Sequence, residues 1–527
     1  MSITRLDALV HRVDETRSTI PNPHGVPVTL YANRDVPIEL DAVEQAKDFV
    51  ALQGTIDDVW AAEQRGAVAP FWGERPGRLE QVVLTPDFHR GGGIPVGTVA
   101  AARGFVVPQA VGSDVCCGMR LLVTDITRAE LAPHLDAIHR PLREVFFGGR
   151  RDIPMSPRQR EALLRDGLWG LHATAADNAD VGLWRHYDAR AQEADLAHVH
   201  FQGVLPARDV FNFTDYITGS GATDGRDAQI GSIGGGNHFV ELQAIDEIHD
   251  GATAHAWGVQ ADRIAIMAHT GSVGLGHPVG GFFLDRARDL HPRGLRRPDH
   301  GFYPLPTAGP HAALAARYLD AMRNAANFAF GNRLMLGLMA VRVLSEVLGR
   351  AIEARLIYDA PHNLIWPGPG ADDAANADAV WLHRKGACPA DGGDPALTAS
   401  PFRFTGHPVI IPGSMGAASY LLAGAGNQAA LCSACHGAGR SLSRGASRHI
   451  DEQRYAATFE RLRVVTPIDP TSPAVRLRRD ILAEYHDRLR EEAPYAYKDI
   501  TPVVQTVEDA GIARRVARTW PLLTIKG

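Results

Sequence analysis

Cysteine is scarce, with five in 527 residues, two of them adjacent at Cys116 and Cys117. That is no disulfide framework, and the residues read as reduced thiols, some of them free to bind metal. Long apolar runs are missing too. None approaches the roughly 20 residues that a membrane-crossing helix needs, so no membrane partner is expected. Met1-Ser2-Ile3-Thr4-Arg5 is not followed by an apolar stretch with a small-residue cleavage site, which makes the cytoplasm the expected compartment. Nor does one sign of charge prevail: 54 Lys and Arg face 60 Asp and Glu, a formal net charge of −6. The surface as a whole is therefore not built for a polyanion, and a nucleic-acid site would have to be a local basic groove. Arg293, Arg296 and Arg297 could contribute to one, as could Arg440, Arg444 and Arg448.

What is present is an ordinary globular composition, 45% hydrophobic and 22% charged, on a chain long enough for a large core. The chemistry-bearing segments are spread from about residue 87 to 439 with no clean linker between them. One large domain over 25–527 is expected, preceded by a loosely held polar extension over 1–24. A strand is predicted at 25–31 and a helix near Leu40–Leu52. Short β-type runs follow at 82–84, 104–107 and 119–123, then two or three helices between 126 and 200. The clearest helix is predicted over roughly 334–356, where Ala340, Val343, Leu344, Val347, Leu348, Ala351 and Ile352 recur at helical spacing. Segments 366–378 and 389–400, rich in Pro, Gly, Ala and Asp, read as surface loops.

The most informative stretch is Cys435-His436-Gly437-Ala438-Gly439-Arg440, some twenty residues after Ile411-Pro412-Gly413-Ser414-Met415-Gly416. Glycines let the backbone approach a ligand closely, and consecutive N–H groups in such loops form an anion-binding hollow. An imidazole there can be a nucleophile, a base or a ligand. Cys432-Ser433-Ala434-Cys435-His436 also matches the C-x-x-C-H pattern of haem attachment. That chemistry requires export, which the N-terminus does not favour.

Other polar segments carry matching chemistry. Asp87 ends a strand before Gly91-Gly92-Gly93; Asp114 and Cys117 stand three apart between Gly112 and Gly118; His238 follows Gly234-Gly235-Gly236-Asn237, with Glu241 three residues on; His269 opens a glycine-rich turn; His362 precedes Asn363. One Asp, one Cys and three His make a mixed O/S/N donor set suited to Zn, Mn, Fe or Co and poor for Ca or Mg. Five ligands exceed a closed tetrahedral site, so an open catalytic metal or two metals sharing ligands are both compatible. A pair roughly 3.5–4 Å apart would suit phosphoryl chemistry.

The series T-P-D-F-H, G-S-D-V-C-C-G-M-R, G-G-G-N-H-F-V-E, H-T-G-S-V-G-L-G-H, H-R-K-G-A, I-P-G-S-M-G-A-A-S-Y and C-H-G-A-G-R, with the closing Ile525-Lys526-Gly527, resembles the RtcB-type RNA ligases from about residue 25 onward. The resemblance implies an α+β fold: a single large domain of packed β-sheets flanked by helices. It implies an enzyme that seals RNA 2′,3′-cyclic phosphate or 3′-phosphate ends to 5′-hydroxyl ends in tRNA splicing or RNA repair, using GTP and two Mn²⁺ ions, in some cases with an archease-type activator. Carried over by motif, Asp114, Cys117, His238, His269 and His362 would hold metal, and His436 would take GMP covalently. Asn237, Glu241, Asn363, Pro412, Gly413, Ser414, Met415, Ser419, Gly437, Ala438, Gly439 and Lys526 would hold the guanylate, while Asp87, Arg90 and Arg440 would contact RNA phosphates.

Three departures stand out. Val273 occupies the place of a phosphate-clamping arginine, Cys388-Pro389-Ala390 replaces the family's usual Thr-Arg-Ala, and Leu364–Gly368 also differs. Metal and GMP residues survive where some RNA contacts do not. Besides ligation, a ligation-deficient metal-dependent phosphodiesterase or phosphatase and a haem or metal electron carrier are the competing readings.

Overall fold

The computed structural model describes residues 6, 8–219, 229–368, 378–449, 452–459 and 462–527. Part of the predicted 366–378 loop lies outside them. Two large sheets organise the α+β domain. The first runs, in spatial order, His11–Arg12, Arg17–Thr19, Val28–Tyr31, Arg78–His89, Val96–Arg103, Val380–Lys385 and Asn363–Pro367. The second orders Ala354–Pro361, Gly118–Thr127, Arg263–Thr270, Phe239–Ile248, Ala513–Lys526, Ser419–Gly424 and Pro408–Ile411, with Arg463–Val465 added beside Ala513–Lys526.

Strand alternation explains why the second sheet is buried on both faces. Leu122, Val240, Leu242 and Ile266 enter one core together with the helix Ala312–Leu348. Met119, Leu121, Val123 and Met267 enter the other, against Trp257 and Phe402. The first sheet packs on helices Leu40–Val50, Leu52–Gln64 and Ile500–Asp509 through a third core.

Three expectations change. The polar N-terminal segment is not loose from His11 onward: Arg17–Thr19 pairs with Val28–Tyr31, and Ser18 and Ile20 are buried. The predicted helix over 334–356 begins much earlier and stops sooner, at Leu348, where Gly349 adopts a left-handed φ of 67° and ends it. Its stripe continues past that point only because Ile352 packs against the same core. Finally, this helix is long and apolar enough to cross a membrane, but 78% of its most apolar window is buried inside the protein. Its polar side chains are core fasteners. Asn324 and Asn327 donate to the carbonyl of Leu164, and Arg333 donates to Cys116 and Thr270 carbonyls at 2.7 and 3.0 Å.

Candidate active site

Register brings the predicted ligands to one end of the second sheet. Gly118 pairs with both Thr270 and Pro361, Phe239 pairs with His269, and Lys526 pairs with Phe239. Cys117, His238, His269, His362 and Lys526 therefore stand at or beside the same row of strand ends. Asp114 reaches them because the chain turns at Cys116, whose φ is 55°, a conformation rare outside glycine. Buried Arg333 steadies that turn: besides its two carbonyl acceptors it donates to Asp359 at 2.8 Å.

Cys117 Sγ lies 3.2 Å from Nε2 of both His238 and His269, His238 Nε2 lies 3.2 Å from Asp114 Oδ2, and His269 and His362 approach Nε2 to Nε2 at 3.3 Å. Burial first, and neighbouring imidazoles second, hold His269 and His362 well below the ordinary histidine range. Burial likewise pushes the Cys117 thiol well up, helped by the Asp114 charge. Imidazole nitrogens crowded against one another, a sulfur and a carboxylate make a set of facing donor atoms, and among the described residues Nδ1 of both His238 and His362 is buried without a partner. Such a donor set suits one or two divalent cations, which favour thiolate and need the lone pairs. All five predicted metal residues are brought together.

His436 stands on the other side of this cluster, its ring centroid 4.6 Å from that of His362 and 6.5 Å from that of His269. Asp87 Oδ2 accepts from His436 Nδ1 at 2.6 Å and from the His436 backbone N–H at 3.2 Å, while Thr85 Oγ1 donates to Oδ1 at 2.6 Å. Burial pushes the Asp87 carboxyl up, but the bonds from His436 and Thr85 outweigh it and leave the group below the usual carboxylate range. The geometry corrects the RNA-phosphate role expected of Asp87. Its carboxylate is fully buried and anionic, so it orients the imidazole and leaves Nε2 free. Nothing in the local sequence signals this bond, which spans 349 positions.

A cavity of about 490 Å³ opens over His436. Of the predicted guanylate residues, Asn237, Glu241, Pro412 to Met415, Gly437 to Gly439 and Lys526 line it. Ser419 and Asn363 do not. Ser419 Oγ accepts from Gly413 N–H at 3.1 Å and props the loop from behind, and Asn363 ties Gly386 N–H to the Asp114 carbonyl. Burial raises the Glu241 carboxyl to about 7 although Thr524 and Gln243 donate to it. Phe239 and Arg444 also line the cavity, as do Glu492 and Tyr497; the last two come from a segment in which no glycine motif draws the eye.

The model of the family described as tRNA-splicing ligase RtcB matches residues 73–527. The chain belongs to the RtcB family. Among its relatives, "tRNA-splicing ligase RtcB" of Thermococcus kodakarensis is 34% identical over 467 residues, covering 86% of this chain and 89% of its own. "RNA-splicing ligase RtcB" of Mycobacterium bovis is 34% identical over 471 residues, covering 86% of this chain and 98% of its own. A Pyrobaculum aerophilum protein named "tRNA-splicing ligase RtcB" is 30% identical over 466 residues.

Within this RtcB chain the arginines differ in their commitments. Arg90 lines the cavity from an exposed position, paired with Asp41 at 3.4 Å. Arg440 also lines it, but its guanidinium donates to Glu492, Tyr497 and the Glu491 carbonyl. Arg444 and Arg448 lean on Glu491 as well, so the expected basic segment is largely neutralised. Val273 starts a short 3-10 turn at φ 48°, strained for a β-branched side chain. The haem reading has no room: Cys435 is buried in a strand paired with Ala387–Pro389, and His436 is held by Asp87.

Proposed function

We propose that the chain joins RNA 2′,3′-cyclic phosphate or 3′-phosphate ends to 5′-hydroxyl ends, with GTP and Mn²⁺, through GMP carried on His436, in tRNA splicing or RNA repair. One observation carries the reading: His436 is clamped at Nδ1 by a buried carboxylate, with its other nitrogen left free beside a Cys/His/Asp cluster and a glycine-walled cavity.

Asp114, Cys117, His238, His269 and His362 would hold the metal, which supplies positive charge to phosphoryl oxygens and offsets the charge of a departing pyrophosphate. The chain's own residues do the rest. Asp87 keeps the proton on Nδ1, so the Nε2 lone pair forms the bond to the α-phosphorus as the bond to pyrophosphate breaks. The positive charge that develops on the ring is balanced by Asp87. Backbone N–H groups of Gly437 to Gly439 and the ammonium of Lys526 face the nucleotide. A cyclic phosphate would first be opened by water to the 3′-phosphate; GMP then passes to a 3′-phosphate oxygen, the N–P electron pair returns to Nε2, and the 5′-hydroxyl oxygen, giving up its proton to solvent, displaces GMP. The five buried free cysteines fit a reducing compartment, the cytoplasm, and an archease-type activator remains part of the same reading.

Incubation with α-labelled GTP and Mn²⁺ tests it. An acid-labile, alkali-stable adduct that is absent in His436→Ala is expected, and no adduct with any divalent metal would refute the ligase. The strained Val273 and the Glu-paired Arg440 favour a second reading, a phosphodiesterase or phosphatase that ligates poorly. If a phosphate clamp is missing, Val273→Arg raises ligation of generic RNA ends without altering guanylylation.

A further inference from the structure

A second cluster of metal-ligating side chains stands apart from the active site. His200, Asp391 and His407 each offer one ligand atom, and these atoms lie within 4.8 Å of one another. They come from two distant segments. His200 opens the short turn His200–Gly203, in which Phe201 and Gln202 hold left-handed φ values of 56° and 55°. Asp391 lies in the predicted 389–400 loop and His407 beyond its end, just before the strand Pro408–Ile411, and the His407 N–H donates to the Asp391 carbonyl at 2.9 Å.

Tyr358 sits between the imidazoles, its hydroxyl 2.9 Å from Nδ1 of His200 and 2.9 Å from Nδ1 of His407. A phenol oxygen can accept from two Nδ1–H groups. Both rings would then be fixed in the tautomer whose Nε2 carries the lone pair, the arrangement that accompanies metal-bound histidines. The Asp391 carboxylate makes no hydrogen bond or ion pair within the chain among the described residues. Phe402 packs edge-on against Tyr358 at 5.2 Å, and Trp366 lies 5.7 Å from the His200 ring, so the rings are walled in by aromatics. His200, Tyr358 and His407 also line a cavity of about 750 Å³, which leaves room for a water or a small ligand.

We propose that His200, Asp391 and His407 form a second metal site for a borderline divalent transition ion such as Zn²⁺, with a coordination position open to that cavity. Two imidazoles and one carboxylate are the donors such ions take, and too few oxygens for Ca²⁺ or Mg²⁺. The ion would pin the 391–407 loop to the turn His200–Gly203, beside Tyr358 of the strand Ala354–Pro361. It would also brace the short ladder in which Cys388 pairs with Ala434, two residues before His436. The site does not depend on the ligase reading, because its donors are separate from those of the catalytic cluster.

Metal content and cobalt spectroscopy of the full-length protein test it. Co²⁺ at the catalytic cluster is expected to show a thiolate charge-transfer band from Cys117, whereas Co²⁺ at the second site has no sulfur ligand. In Cys117→Ser protein, which lacks that band, added Co²⁺ is expected to give visible d–d absorption that falls by one cobalt equivalent on further changing His407→Gln or Asp391→Asn, the remainder arising at Asp114, His238, His269 and His362. In otherwise unaltered protein, His407→Gln or Asp391→Asn is expected to lower bound Zn²⁺ by one equivalent per chain while the thiolate band persists. Circular dichroism and melting of each variant establish that it is folded, and the two substitutions on separate residues keep the test open if one is not. Unchanged Zn²⁺ stoichiometry in a folded variant, or d–d absorption in the Cys117→Ser background that neither second substitution reduces, overturns the proposal.

Discussion

Asp87→Asn and Asp87→Ala should part company, and the reason lies in which way the asparagine amide must point. Oδ2 of Asp87 accepts from two donors on His436, at 2.6 and 3.2 Å, so an amide nitrogen cannot take that place. At the other oxygen, Thr85 Oγ1 stands 2.6 Å away and also 3.0 Å from the Gly97 carbonyl. A threonine hydroxyl has one proton, so it can give that to Gly97 and accept from an amide N–H. Asparagine is thus locked with its oxygen toward His436, and the Nδ1–H tautomer survives. What is lost is charge: a bond to an ionised acceptor is worth about 1.5–3 kcal/mol and to a neutral one about 0.5–1.5 kcal/mol. The difference, about 1–1.5 kcal/mol, corresponds to roughly five- to thirteenfold slower guanylylation. Alanine removes the acceptor altogether, freeing the ring and stranding two donors, and a loss of about 10²–10⁴ is expected, as when an orienting aspartate is disabled elsewhere. Single-turnover formation of labelled protein–GMP measures both. If Asp87→Asn is as damaged as Asp87→Ala, or Asp87→Ala is nearly normal, the tautomer argument fails.

Gly439→Ala should abolish guanylylation in a folded protein, since φ is 78° and a Cβ would meet the Asp87 carbonyl at 2.3 Å; normal adduct formation would contradict this. Arg333→Met should lower stability by about 3–5 kcal/mol, the usual result of breaking one side of a buried ion pair, and reduce metal retention by releasing the Cys116 and Thr270 carbonyls; calorimetry and metal analysis report the two effects. In the nucleotide-free protein, Glu241 keeps its proton up to about 7 when folded against 4.5 as the reference value. The folded state then binds the extra proton, so stability falls as pH rises through that window, by up to roughly 3 kcal/mol. Glu241→Gln should remove the fall, its melting temperature gaining on that of the unaltered protein between pH 5 and 8; parallel curves would rule this out.

Motifs with glycine beside a reactive side chain were readable because both halves of the signal are adjacent in the chain. Cys117, His238, His269, His362 and His436 all converge at strand ends, four of them within two residues of a glycine and His362 between Pro361 and Asn363. Pairings between distant residues were not readable. Asp87 looks like any carboxylate before a glycine turn until His436 is placed on it, and Ser419 and Asn363 look like ligand contacts until their bonds to the loop backbones appear. The start of the long helix was hidden for a related reason. Arg323, Asn324, Asn327, Asn332 and Arg333 interrupt the apolar stripe, yet all are buried because their hydrogen bonds are made to other segments. The N-terminal strands were missed because their polar alternation, with only Ser18 and Ile20 inward, gives a pattern too short to separate from a loose tail.

The pairing of Lys526 with Phe239, and its ammonium contact to the His238 carbonyl at 3.1 Å, has a consequence for biosynthesis. The strand that carries Lys526 is inserted between Phe239–Ile248 and Ser419–Gly424, so the two halves of the ligand-bearing sheet stay unjoined until it arrives. A ribosome-bound chain that has already made every cysteine and histidine of the cluster still lacks the central stave of the sheet. Assembly of the site should therefore wait for synthesis of that strand, so that a half-made sheet presents no complete cavity.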